Sequence, residues 1–183
     1  MEGLEVKFSE ADVPGVFTID LEERADERGF FARTYCDDEF AAHGLAHNMV
    51  QSNMSFNHLA GTIRGMHMQR EPHGEVKLVR AVRGAILDVV VDLRPDSATY
   101  LRSVAVELSE ANRRALYVPI GFAHGYQALT DGAEVLYQVS TVYAPGYEQG
   151  FRFDDPAFTL SWPLPVSVIS EKDAAWPLLD TTN

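Results

Sequence analysis

Between Val76 and Leu93 the apolar residues fall into two alternating runs. Val76, Leu78 and Val82 mark the first, and Leu87, Val89, Val91 and Leu93 mark the second. Period-two alternation is the pattern of a strand with one buried face, and the phase shifts by one residue across Arg83-Gly84, which reads as the turn. Val104, Val106 and Leu108 alternate again. Residues 115–118, 125–129 and 134–142 are further strand candidates, broken by Pro119, Gly121 and Asp131-Gly132. Helical patterning is sparse. Residues 37–43 predict one short helix capped by Asp37 or Asp38, and residues 109–114 another with Ser109 as N-cap. After Asp154-Asp155-Pro156, the prolines at 163, 165 and 177 predict a wrapped extension over residues 154–183 with little helix. Many short strands at even spacing point to an all-β sandwich or barrel.

Composition narrows the class. A chain of 183 residues suits a single domain over residues 1–183 with its own core. Ten Phe, seven Tyr and two Trp in a chain that is 46% hydrophobic favour a packed fold over disorder. The net charge of −12 makes nucleic acid a poor partner, so an anionic ligand needs a local cluster of Arg and Lys. One cysteine, Cys36, excludes an intrachain disulfide and fits a reducing cytoplasm. No basic residue flanks it in Tyr35-Cys36-Asp37-Asp38, which favours a structural thiol over a nucleophile. No window approaches the length of a membrane span, so the expectation is a cytoplasmic protein without a membrane partner.

Two segments carry the chemistry. Arg64-Gly65-Met66-His67-Met68-Gln69 and Pro119-Ile120-Gly121-Phe122-Ala123-His124-Gly125 resemble the two halves of a cupin signature. That signature is His-x-His, a Glu separated by six residues from a Gly, and Pro-x-Gly-x-x-His. Here Gln69 stands at the second His, and Lys77, counted back from Gly84, stands at the Glu. Two imidazoles, an amide and an ammonium make a poor cage for a divalent cation, because a protonated Lys has no lone pair to donate. A fixed positive charge in that place can still stabilise a developing oxyanion. The motifs select, among sandwiches and barrels, a cupin-like double-stranded β-helix (jelly roll) with a few short peripheral helices.

With these motifs placed, the chain resembles the dTDP-4-dehydrorhamnose 3,5-epimerase family. The resemblance rests on Asp26-Glu27-Arg28-Gly29-Phe30-Phe31, Gln51-Ser52-Asn53-Met54-Ser55, the Arg64 to Gln69 run and Lys77-Leu78-Val79-Arg80. It continues through residues 88–94, residues 119–126, Tyr137 and Ser170-Glu171-Lys172-Asp173, all in family order. The family inverts carbons flanking a 4-keto group in a nucleotide-linked 6-deoxy sugar. That reaction needs a base for the proton alpha to the carbonyl, a charge for the enolate oxygen and an acid on the opposite face. The resemblance implies His67 as the base and Asp173 as the carboxylate that orients it. It implies Lys77 as the enolate stabiliser, in agreement with its reading as a metal substitute. Tyr137 is implied as the acid, a weak one that should work best near a cation such as Lys77. Arg64 and Arg28 are implied for the diphosphate, Arg28 reaching from the partner in a strand-exchanged homodimer. Gln51 and Asn53 are implied as polar contacts to substrate, and His124 as a pocket residue near sugar or phosphate. No cofactor and no metal are implied.

The residues alone leave other readings open. His124 in a Gly-flanked turn also suits a packing post. Asp88, Asp92 and Arg94 suit a structural polar network. Asp154 and Asp155 suit turn formation, and His43, His47, His58 and His73 suit surface or loop positions. Tyr143 suits either core or pocket wall. The chain also departs from the family at Arg33, where an acid implicated in reading the nucleobase is usual. A guanidinium only donates, whereas an acid accepts from thymine N–H, so another base such as cytosine enters consideration. Met68, Ser52, Asn57 and Gln138 replace the usual aromatic, Asp, Ser and Lys. The alternatives are a monoepimerase or ketoisomerase on a related sugar, a metal-dependent cupin, and a non-catalytic sugar-nucleotide-binding jelly roll.

Overall fold

In the computed structural model, which describes residues 5–46 and 48–180, two antiparallel sheets face each other. One sheet has the order β1 (Val6–Glu10), β2 (Phe17–Leu21), β10 (Ala115–Val118), β7 (Lys77–Arg83), β12 (Ala133–Val139) and β5 (Gln51–Asn57). The other has the order β13 (Glu148–Gly150), β6 (Ile63–Gln69), β11 (Phe122–Ala128), β8 (Ala85–Asp92) and β9 (Ser103–Ser109). β3 (Arg24–Asp26) and β4 (Gly29–Phe31) pair separately as an exposed hairpin. Apart from β1–β2 and β8–β9, neighbouring strands in each large sheet come from distant parts of the chain, as the expected jelly roll requires.

Three apolar layers hold this arrangement. Val79, Ala81, Leu116 and Val135 of the first sheet pack against Ile86, Val90, Leu108 and Phe122 of the second. Outside the first sheet, α1 (Asp37–Ala42) lays Phe40 over Ile19, Leu78, Ala115 and Tyr117. Phe40 is fully buried, which stabilises by about 1.5–3 kcal/mol relative to exposure. Outside the second sheet, Phe151 and Phe158 cover Met66, Val89, Val91 and Ala123. The C-terminal segment is also tied down by polar contacts. Gln127, fully buried, donates to the Leu164 carbonyl at 2.8 Å and accepts from the Leu164 amide at 3.0 Å. Its one helix is short, α2 (Glu171–Ala174), and the Ser170 hydroxyl caps it by accepting from the Asp173 amide.

Several expectations are corrected. Arg83-Gly84 breaks the chain between β7 and β8 as expected, and because these strands belong to different sheets the turn is a corner. Gly84 has φ +65°, and a Cβ there would come within 2.2 Å of Thr130 Oγ1. The corner explains the shift in apolar phase. Residues 109–114 form no helix. The Ser109 amide donates to Asn112 Oδ1 and the Asn112 amide to Ser109 Oγ, and Arg113 at φ +53° ends the turn. α1 is capped by Cys36 without a side-chain bond, and Asp37 accepts from the Tyr35 hydroxyl instead. His43 stacks on Phe8, His58 meets Phe56 edge-on and His73 tilts against Tyr147. His47 lies outside the described residues. No helix among the described residues is long and apolar enough to cross a membrane.

Candidate active site

A cavity of about 580 Å³ opens between the two sheets. That size falls within the range of about 300–1,000 Å³ usual for small-molecule sites. Polar residues enter it because alternate positions of each strand face inward. On β5, Gln51, Asn53 and Ser55 point to the cavity, while Met54 and Phe56 point out and are 62% and 43% exposed. This inverts the usual inside-apolar pattern, as expected where a strand lines a polar site. His67 and Arg64 come from β6, Lys77 from β7, His124 from β11, Tyr137 from β12, and Asp173 from α2. Tyr143 stands on the cavity wall with its side exposed, which places it in the pocket and not the core.

His67 Nε2 lies 2.6 Å from Asp173 Oδ1, and the Gly65 amide donates to Asp173 Oδ2 at 3.2 Å. Burial pushes the Asp173 carboxyl up. The hydrogen bond and charge of His67 and the Gly65 amide outweigh it and hold the group below the usual carboxylate range. An ionised carboxylate only accepts, so Nε2 carries the proton and Nδ1 keeps its lone pair. Trp176 meets the His67 ring edge-on at 6.4 Å and rests on Gly150, where a Cβ would approach the indole to 2.0 Å.

A second histidine–carboxylate pair stands beside the first. His124 and His67 are register partners on β11 and β6, and His124 Nε2 lies 2.7 Å from Asp88 Oδ1. Asp88 is fully buried, and its other oxygen has no hydrogen-bond partner among the described residues. It therefore does not share the network expected with Asp92 and Arg94. That network forms without it, with Ser97 and Thr99 also donating to Asp92.

Across the cavity, Lys77 Nζ lies 3.2 Å from Glu75 Oε1 and donates to the His67 carbonyl at 3.3 Å. Glu75 Oε2 also accepts from Gln69 Nε2 at 3.0 Å. Sequence reasoning missed Glu75, although its i, i+2 spacing from Lys77 was a signal. Tyr137 lines the same cavity as Lys77. Burial raises its pKa, Glu75 and Tyr126 add to the rise, and Arg64 opposes them. Tyr126 is a second residue given no role by sequence reasoning. Its hydroxyl meets Ser55 at 2.8 Å and Asn57 at 3.3 Å, and Asn57 Oδ1 accepts from Arg64 Nε at 2.9 Å. Gln51 Nε2 donates to Asn53 Oδ1 at 3.0 Å. Among the described residues no group of three or more His, Cys, Asp or Glu is disposed to hold a metal ion.

A profile of the dTDP-4-dehydrorhamnose 3,5-epimerases matches residues 10–181. The chain belongs to the dTDP-4-dehydrorhamnose 3,5-epimerase family. It is 43% identical over 176 residues to the family enzyme of Methanothermobacter thermautotrophicus, with 94% of each chain covered. Its fold matches the Bacillus anthracis dTDP-4-dehydrorhamnose 3,5-epimerase, solved with TDP and PPi bound, with a TM-score of 0.92 at 36% identity. That match covers 96% of this chain and 100% of the other. It also matches the Legionella pneumophila epimerase in complex with dTDP-4-keto-L-rhamnose, with a TM-score of 0.90, 32% identity, and 98% and 95% of the two chains covered.

Two candidate substrate-binding residues lie away from the cavity. Arg28 sits on the β3–β4 hairpin with its side chain 85% exposed and paired with Asp26. Arg33 is paired with Glu39 of α1. The other eight candidates line the cavity between the sheets: His67, Asp173, Tyr137, Lys77, Arg64, His124, Gln51 and Asn53.

Proposed function

We propose that the protein inverts C3 and C5 of a dTDP-linked 4-keto-6-deoxyhexose by enolisation, with His67 as base and Tyr137 as acid. The observation that carries this reading is the placement of His67 on one sheet and Tyr137 on the other, facing one cavity. Inversion requires proton removal on one face and delivery on the other, and groups on opposed sheets meet that need. The family membership supplies the substrate class.

His67 Nδ1 takes the proton alpha to the ketone, and the C–H electron pair moves through the C–C bond onto the 4-keto oxygen. The resulting imidazolium is stabilised by Asp173 on Nε2. Lys77 donates to the enolate oxygen and lowers the cost of its charge. When the enolate collapses, the Tyr137 hydroxyl gives its proton to the opposite face of the same carbon, and the configuration is inverted. Solvent then removes the proton from His67 and returns one to Tyr137. Arg64 holds the diphosphate, with Gln51, Asn53 and His124 as polar contacts. Lys77 and Gln69, at two cupin ligand positions, supply charge and hydrogen bonding where a metal cupin needs lone pairs.

The assembly proposed is a homodimer in which the β3–β4 hairpin brings Arg28 to the partner's cavity. The exposure of Phe30 (44%) and Phe31 (63%) on that hairpin supports it. The test of the function is NMR of dTDP-4-keto-6-deoxyglucose with chelator-treated protein in deuterated water. Deuterium at C3 and C5 is expected. Label at C3 alone would show a monoepimerase, and no label with this sugar or its CDP analogue would overturn the epimerase reading.

A further inference from the structure

We propose that Glu75 is a positioning residue of this site, holding the Lys77 ammonium and the Gln69 amide from one carboxylate so that Lys77 meets the developing oxyanion in a fixed direction. The inference deepens the epimerase reading and rests on it for its catalytic meaning.

The geometry is specific. Glu75 Oε1 takes Lys77 at 3.2 Å and Oε2 takes Gln69 Nε2 at 3.0 Å, and Gln69 Oε1 accepts from the Ala144 amide at 2.7 Å. The Glu75 and Lys77 side chains are 13% and 10% exposed, so water screens the pair little. Two positions that carry metal ligands in metal-binding cupins are thus joined by a carboxylate from outside that set. A Lys side chain has four rotatable carbon bonds. Fixing it before substrate arrives removes an ordering cost from the step in which charge develops.

The same charge acts on Tyr137. A carboxylate near a phenol disfavours the phenolate, so Glu75 shifts the ionisation of Tyr137 upward. Burial acts first in this direction, Glu75 next and Tyr126 after it, with Arg64 opposing. The other titratable groups lining the cavity are His67, Lys77, His124, Tyr143, Glu148 and Asp173. Glu75 therefore has two effects, one on the direction of Lys77 and one on the protonation of Tyr137.

The test is ultraviolet titration of Tyr137, isolated by subtracting the Tyr137→Phe signal, in the parent chain, Glu75→Gln and Lys77→Met. In Glu75→Gln the Tyr137 ionisation should move down by about one pH unit. In Lys77→Met, where Glu75 loses its counter-charge, it should move up. The alkaline limb of kcat in Glu75→Gln should follow the titration down. Its kcat at neutral pH should fall about tenfold, with KM within about threefold. Glu75→Asp, which keeps the charge, should restore the limb. An unmoved Tyr137 titration in either variant, or an unmoved kcat limb in Glu75→Gln, would overturn the proposal. The titration needs no substrate, which separates the two readings. A protein that titrates as expected but exchanges no deuterium contradicts the epimerase reading alone. One that exchanges deuterium while Tyr137 ignores Glu75 contradicts only the role given to Glu75.

Discussion

Asp173 meets His67 at 2.6 Å although 106 residues separate them in the chain. The contact exists because Ser170 caps a four-residue helix and turns Asp173 inward, and because the C-terminal segment is pinned to the second sheet. A pair built this way depends on the ordering of a tail as much as on either side chain.

The ionisation of Asp173 makes that dependence measurable. Its folded pKa lies below the ordinary value, so the folded state prefers the carboxylate. The stabilisation is then fully present above the unfolded value of about 4 and is lost as pH falls through the folded value. The difference in urea midpoint between the parent and Asp173→Asn should be constant at neutral pH and shrink below about pH 4. At neutral pH, kcat for Asp173→Asn should drop about 10²–10⁴-fold, since the amide no longer holds the tautomer or supports the imidazolium.

His124→Ala should cost more stability than its exposure suggests. It removes the hydrogen-bond partner of a fully buried carboxyl whose other oxygen is unbonded among the described residues. A loss of about 2–4 kcal/mol is expected by chemical denaturation. Adding Asp88→Asn should return part of that loss, and strict additivity of the two substitutions would contradict the pairing.

Gly65 admits no side chain. At φ +106° its Cβ would meet Gly125 Cα and the His124 carbonyl oxygen, each at 2.6 Å. Gly65→Ala must therefore part β6 from β11 and move the amide that holds Asp173. Thermal melting should report a loss of about 2–4 kcal/mol, and kcat should fall with it.

Arg28 tests the assembly. Its side chain is 85% exposed in the single chain, so Arg28→Ala should leave monomer stability within about 0.5 kcal/mol. If the partner's cavity uses it, the KM for the dTDP sugar should rise about tenfold with kcat little changed. Sedimentation of the parent chain as a monomer would contradict this part of the account.

What the sequence made legible follows from where its periodicity carries information. Strand β9 was readable because Val104, Val106 and Leu108 give it one apolar face, and β10 because a run of four apolar residues stops at Pro119. β8 misled, since it is buried on both sides. Leu87, Val89 and Val91 face the C-terminal segment, while Ile86, Asp88 and Val90 face the space between the sheets. Alternation does not rank two buried faces, so Asp88 was assigned to the wrong neighbours. Family motifs carried His67, Lys77, Tyr137 and Asp173, because long-range proximity leaves no local trace. Glu75 and Tyr126 lay outside those readings, and their partners on other strands appear only once the sheets are closed.

The central claim is that His67 removes the proton alpha to the ketone. The direct measurement is the rate of deuterium entry at C3 of dTDP-4-keto-6-deoxyglucose, followed by NMR for the parent and for His67→Asn. The account predicts exchange by the parent and a loss of about 10³-fold or more in the variant, with dTDP still bound. Equal exchange rates in the two proteins would contradict it.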